Sequence, residues 1–213
     1  MAYNTGPKIV TDGLVLCLDA ADRNSYPGSG NTWYDLSGQN AHCDSVGSPT
    51  FINNGSASYW QLSESQRFNS VNISQEYRDL FIISRLENNI GLRMIFSKYD
   101  GLDKSFRFNA GTLTYSPPDA NDWQYLQTED SFLNGSFVGT SSPDIYNQWS
   151  FIRMYRSNDT FSSSFRYQVS SSFGSNFRAF IGKINYICSY DRKLSNEEVL
   201  QNYNALKGRY GLT

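Results

Sequence analysis

Along most of the chain, short apolar or alternating runs are separated by clusters of Gly, Pro, Asn, Asp and Ser. That rhythm predicts strands near the ordinary length of about 5–6 residues, joined by turns as in a sandwich or barrel. In the first run Leu14, Leu16 and Leu18 alternate with Val15, Cys17 and Asp19. This predicts a strand with the three leucines on one face and Val15 and Cys17 beneath a neighbour. Further predicted strands are Tyr59–Leu62, Leu80–Ser84, Gly91–Lys98, Ser105–Asn109, Thr112–Tyr115, Trp149–Arg156, Ser164–Val169, Phe177–Ile181 and Lys183–Tyr190. Within Trp149–Arg156, Trp149, Phe151, Arg153 and Tyr155 point one way and Ile152 and Met154 the other. Such a strand buries a face on each side or carries a partly covered outer layer.

Two stretches depart from this pattern. Ala20 to Gly38 is a long polar segment carrying Pro27-Gly28-Ser29-Gly30 and then Trp33-Tyr34-Asp35-Leu36, a surface loop whose aromatic end is pinned to the body. At the other end, Ser195-Asn196-Glu197-Glu198 is a capping box. The Ser195 hydroxyl accepts from the Glu198 N–H while the Glu198 carboxylate reaches back to the Ser195 N–H. A helix is predicted over about 195–207, with Val199, Tyr203 and Leu206 as its apolar stripe, Leu200 beside them and Gly208 as its cap. The Ser-rich tracts Phe161–Phe165 and Ser170–Asn176, interleaved with Phe, predict strands with small polar outer faces joined at Gly174.

Composition narrows the function classes. With 15% of the chain aromatic, disorder is not expected, because disordered chains are poor in aromatics. A net charge of −2 provides no field to gather phosphates, so nucleic-acid binding is not expected. His42 is the sole histidine; this removes two-His metal sites and HExxH chemistry. Cys17, Cys43 and Cys188 show no CxxC pairing. Their odd number, and an N-terminus without an apolar signal region, predict a chain made in a reducing cytoplasm with no signal peptide. No apolar run approaches the roughly 20 residues that cross a bilayer, so no membrane insertion is expected. At 213 residues the chain fits one domain.

Two terminal segments carry a family resemblance. Gly182-Lys-Ile184-Asn-Tyr-Ile187-Cys-Ser-Tyr190-Asp-Arg192-Lys-Leu194-Ser195-Asn-Glu-Glu198-Val-Leu-Gln-Asn-Tyr203 resembles the closing strand and helix of concanavalin A-like lectin/glucanase domains of the laminin-G/pentraxin type. Gly13–Asp19, followed by Trp33-Tyr-Asp35-Leu-Ser-Gly38, resembles their opening strand and loop. The opening Gly-Leu-Val-Leu and the closing Asn-Tyr-Asn-Ala-Leu-Lys-Gly-Arg-Tyr-Gly are similar to virion proteins of tailed phages. The resemblance implies an all-β, two-sheet antiparallel jelly-roll sandwich with one short C-terminal α-helix: an N-terminal arm over 1–11 and one domain over 12–213. It departs from the family at Ser189, where the closing strand is usually apolar, and in having no Asn-Gly hairpin after Trp149–Arg156.

For function, the resemblance implies adhesion, glycan recognition or virion structure more often than catalysis. The expected role is a non-enzymatic virion protein, as capsid decoration, head fibre, or neck or tail appendage. Its partners would be other virion proteins, cell-surface glycans and further copies of itself. A glycan hydrolase and a free lectin module are the alternatives. A glycosidase needs two carboxylates facing its substrate, and no Glu-x-Asp-x-x-Glu strand supplies them. The acidic neighbours are Glu76/Asp79, Glu129/Asp130 and the helix-capping Glu197/Glu198. Asp19/Asp22/Asn24, Asp100/Asp103 and Asp119/Asn121/Asp122 have the oxygen chemistry of calcium sites, but turns use the same residues for their own backbone bonds. No cofactor is assigned, and calcium would have ligands the sequence does not define. The best local sugar site is the loop containing Asp119, Asn121, Asp122, Trp123 and Tyr125, where an aromatic face adjoins amides and carboxylates. Trp123 has a second reading as a hydrophobic anchor for that loop.

Overall fold

The computed structural model describes residues 8–71, 77–88, 92–99, 103–109, 131–138, 144–155, 166–170 and 179–212. In chain order its strands are β1 (Leu14–Asp19), β2 (Thr32–Trp33), β3 (Cys43–Val46), β4 (Thr50–Ile52), β5 (Tyr59–Leu62), β6 (Arg67–Ser70), β7 (Asp79–Leu86) and β8 (Leu92–Tyr99). They continue with β9 (Asp103–Asn109), β10 (Phe132–Leu133), β11 (Ser136–Phe137), β12 (Trp149–Tyr155), β13 (Arg166–Val169) and β14 (Gly182–Tyr190). A 3-10 turn covers Gly55–Ala57, and one helix, α1, covers Asn196–Tyr210 among the described residues. Thr112–Tyr115, the sugar-site loop and nearly all of the two Ser-rich tracts lie outside the described residues.

The strands form an antiparallel sandwich. An eight-stranded sheet runs β11-β10-β12-β7-β14-β5-β4 with β1 also paired to β14, and a six-stranded sheet runs β2-β3-β6-β13-β8-β9. Their inner faces interdigitate through Leu62, Ile82, Ile152 and Ile187 of the larger sheet and Trp33, Phe68, Ile95 and Val169 of the smaller. Helix α1 covers the outer face of the larger sheet, where Phe81, Ile83, Phe151 and Tyr190 meet Val199, Tyr203, Leu206 and Tyr210. The larger sheet is therefore covered on both sides, and β7, β12 and β14 are buried at nearly every position.

In β12 the expected division holds: Ile152 and Met154 face the smaller sheet, Phe151 faces the helix layer, and Arg153 pairs there with Asp79 and the Leu194 carbonyl. In β1 it does not. Pairing with β14 slips between Leu14 and Leu16, so Leu14 packs with Cys17 in the helix layer while Val15, Leu16 and Leu18 enter the inter-sheet core. The three leucines do not share a face, because a bulge inserts a residue that alternation alone does not reveal. A second bulge between Ile184 and Tyr186 re-phases β14. Of the predicted Phe177–Ile181 strand, the described part contributes only an isolated bridge, Ala179 to Met94.

The capping box forms as predicted, with the Glu198 N–H donating to Ser195 Oγ at 3.3 Å and the Ser195 N–H to Glu198 Oε2 at 2.8 Å. The helix end is a correction. It runs past Gly208 to Tyr210 and stops at Gly211, whose φ of 63° lies in the left-handed region. Tyr210 is held in the helix because its ring is buried and its hydroxyl bonds Asp19 at 2.8 Å. Leu200 faces solvent and is 38% exposed; the buried position beside Val199 and Tyr203 belongs to Asn202. Ser189, polar in an apolar strand, is buried with its hydroxyl donating to the Asp79 carbonyl at 3.1 Å. An Asn-Gly hairpin does exist, but it precedes β12: Asn134 and Gly135 have φ of 43° and 95° and join β10 to β11.

Candidate functional site

Around the end of β1 the surface is concave. Lys8–Thr11, the 3-10 turn and the last turn of α1 enclose a cavity of about 880 Å³ against the larger sheet. A second cavity of about 330 Å³ lies on the far side of the same turn. Ser56 and Arg209 line both, so the two form one groove. Its larger part is lined by Cys17, Tyr186 and Leu206 together with Asn204 and Thr11. Its smaller part presents Arg23, Asn53, Tyr26 and Phe51.

The divider is an ion pair built from opposite ends of the chain. Asp19 ends β1, is buried, and accepts from Arg209 Nη1 at 2.5 Å, Arg209 Nη2 at 3.1 Å, the Tyr210 hydroxyl at 2.8 Å and the Ala21 N–H at 2.9 Å. Arg209 Nε donates to the Ser56 carbonyl at 3.2 Å. Burial pushes the Asp19 carboxyl above its usual range, against the lowering effect of Arg209 and of the Tyr210 hydrogen bond. The pair thus fixes the helix end to the first strand and the 3-10 turn. The surrounding mixture of apolar side chains, amide, hydroxyl and guanidinium suits a neutral ligand that has both C–H and hydroxyl faces.

The other buried carboxylates are also drawn inward. Asp79 and Arg153 form a two-pronged ion pair, Nε to Oδ1 at 2.8 Å and Nη2 to Oδ2 at 2.7 Å, with both side chains fully buried. Asp79 Oδ2 also accepts from the Leu194 N–H at 2.9 Å. Asp35 accepts from the N–H groups of Cys17, Ser37 and Ala41 and from the Ser37 hydroxyl, at 2.7–3.1 Å. It is the pin of the Ala20–Gly38 segment, together with Trp33, which is fully buried, whereas Tyr34 is 41% exposed. His42 is half-buried, and its Nδ1 accepts from the Asp35 N–H at 3.0 Å.

Asp119, Asn121, Asp122, Trp123 and Tyr125 lie outside the described residues. The Asp19/Asp22/Asn24 cluster does not converge: Asp19 turns to Arg209, and Asp22 Oδ1 accepts from the Asn24 N–H at 2.8 Å in a local turn. Among the described residues no three His, Cys, Asp or Glu side chains are grouped to hold a metal. Sequence reasoning missed Arg209 and the groove, since nothing local relates positions 19 and 209.

Neither a family model nor a curated protein matches the sequence. Among solved structures, Trypanosoma rangeli sialidase in complex with the inhibitor DANA superposes with a TM-score of 0.54 at 10% identity, over 94% of this chain and 35% of the sialidase. The same sialidase as its 2,3-difluorosialic acid covalent intermediate gives 0.50 at 10% identity, over 97% and 36%. Domain 4 of AbnA, a GH43 extracellular arabinanase from Geobacillus stearothermophilus, in complex with arabinotriose, gives 0.49 at 13% identity, over 90% and 98%. What the chain shares with the sialidase is a fold. It spans about a third of the sialidase's length, and that likeness places it among jelly-roll-like β-sandwiches.

Proposed function

We propose that this chain is a non-catalytic attachment protein of a tailed-phage particle, either a decoration or an appendage, that docks to other virion proteins and binds cell-surface glycans weakly. The observation that carries the non-catalytic part is the state of its buried carboxylates. Asp19, Asp35 and Asp79 each accept several hydrogen bonds from their own chain, and among the described residues the groove lining holds Asp19 as its one acidic side chain. A glycosidase needs two carboxylates placed across the scissile bond, whereas recognition needs a mixed polar and apolar surface of the kind the groove offers. The phage assignment is supported by the resemblance of the opening and closing segments to virion proteins of tailed phages. Glycan contact is assigned to the groove and to the loop of Asp119, Asn121, Asp122, Trp123 and Tyr125.

Mass spectrometry of purified particles tests the attachment role. The chain is expected in a fixed ratio to the major capsid protein, near parity for a decoration and far below it for an appendage. Absence from particles, combined with retention on a glycan array, would instead assign a free lectin module. Turnover of a polysaccharide, lost on replacing one carboxylate, would overturn the non-catalytic reading. Trp123→Ala is expected to weaken glycan retention with an unchanged Tm; a Tm lowered by several degrees would make Trp123 a packing residue.

A further inference from the structure

Cys17 and Cys188 face each other across the junction of the first and last strands. They are direct partners in the β1–β14 ladder, so their side chains share one face, and both belong to the layer beneath α1. The pair is of the non-hydrogen-bonded type. The Cys17 N–H donates to Asp35 Oδ1 at 2.8 Å and the Cys17 carbonyl accepts from the Leu36 N–H at 2.8 Å, both directed away from β14. Partners of this type have Cα atoms about 4.5 Å apart, within the roughly 4.4–6.8 Å that a disulfide spans. Tyr186, two residues before Cys188 on the same strand, has its hydroxyl 3.4 Å from Cys17 Sγ. Cys17 also lines the 880 Å³ cavity, which gives small molecules a path to one of the two sulfurs.

We propose that Cys17 and Cys188 are a modification site, where a low-molecular-weight disulfide such as oxidised glutathione drives formation of a cross-strand disulfide that staples the first strand to the last. The Cys17 thiolate, approached through the cavity, attacks one sulfur of the small disulfide. A mixed disulfide forms, and one small thiolate leaves and takes up the Cys17 proton. The Cys188 thiolate then attacks Cys17 Sγ, displacing the second small thiolate, which takes up the Cys188 proton. Two protein thiols are oxidised by two electrons, and one small disulfide is reduced to two thiols. Burial pushes the Cys17 thiol up to about 12 and raises Cys188 as well. The thiolates are therefore scarce near neutrality and the exchange is slow. Cys43 serves as an internal control: it is buried in the inter-sheet core opposite Ser70, with no cysteine facing it.

The folded, reduced full chain is incubated with oxidised glutathione, quenched in acid, alkylated after unfolding and digested without reductant. The expected product is one linked peptide pair joining Cys17 to Cys188, lighter by two hydrogen atoms, with Cys43 recovered alkylated. Its rate should rise about tenfold per pH unit above neutrality while the chain stays folded. Cys188→Ser should arrest the reaction as a glutathione adduct on Cys17. The linked form should melt roughly 5–15 °C higher than the reduced form, given the long loop that the bond closes. The proposal is overturned if the folded chain keeps Cys17 and Cys188 as free thiols while the urea-unfolded chain crosslinks, if all three cysteine pairings appear in similar amounts, or if the linked form melts no higher.

Discussion

The two faces of the larger sheet are buried by different chemistry. Toward the smaller sheet it presents Leu62, Ile82, Ile152 and Ile187, and the aromatic contacts there include Tyr26–Trp60 and Trp60–Phe68, with ring centroids 4.5 and 4.9 Å apart. Toward α1 it adds to its aromatics a series of directional bonds. Asp79 and Arg153 hold the segment entering the helix through both its N–H and its carbonyl at Leu194. In mid-helix, Asn202 accepts from the Val10 N–H at 2.8 Å and donates to the Tyr190 hydroxyl at 3.0 Å, and that hydroxyl donates to the Val10 carbonyl. At the far end stands Asp19 with Arg209 and Tyr210. Two pleated faces with many strands fix each other by shape. A lone helix on an apolar face has many near-equivalent placements, and buried polar bonds select one of them. The helix face therefore depends on pairs and the inter-sheet face on volume.

Neighbouring residues of β12 let the comparison be broken from either side. Arg153→Met leaves the Asp79 carboxylate buried without its partner and should cost about 3–5 kcal/mol in urea unfolding. Adding Asp79→Asn should recover at least half of that loss, because no uncompensated charge then remains. A single-variant loss below about 1 kcal/mol would show that the helix face is held by packing after all. Ile152→Val, one residue earlier and facing the smaller sheet, removes one methyl group and should cost only about 0.5–1.5 kcal/mol. No second substitution on the helix face should restore it. If Ile152→Val proves the more damaging of the two, volume governs both faces.

How much of this was legible in the sequence follows the same division. Strands β1, β7, β12 and β14 were visible because residues that bury a face show it in their spacing. The capping box was visible because it is entirely local, four consecutive residues answering one another. Strands β2, β3, β4 and β6, of two to four residues, were not. Cys43-Asp44-Ser45-Val46 has no apolar rhythm and is a strand because Ser70, Asn69, Phe68 and Arg67 pair with it from the β6 side. The β10–β11 hairpin had its strongest signal in plain view at Asn134-Gly135, flanked by strands of two residues each. The helix end was placed too early because Gly208 is a good local stop, while Tyr210 is retained by Asp19, 191 residues away. The groove was invisible for the same reason, since Arg209 and Asp19 signal nothing to each other until the fold joins them.

The smallest expected effect lies at the exposed edge of the helix face and concerns pH. Arg192 first, and then the Ser195 N–H, hold the Glu198 carboxyl down from 4.5 to about 2. A carboxyl lowered in the folded state contributes stability that is fully present above 4.5 and is lost as pH falls toward about 2. Since Glu198 and Arg192 are both partly open to solvent, screening limits that contribution to less than about 1 kcal/mol. Glu198→Gln keeps an amide oxygen for the Ser195 N–H but loses the charge opposite Arg192. It should lower stability slightly at neutral pH and flatten the acid limb between those two pH values, the difference from the wild type vanishing at the bottom of the window. A difference that persists unchanged to the lowest pH would mean that the carboxylate acts through shape alone. The pairing rule would then apply to the buried part of the helix face and stop at its rim.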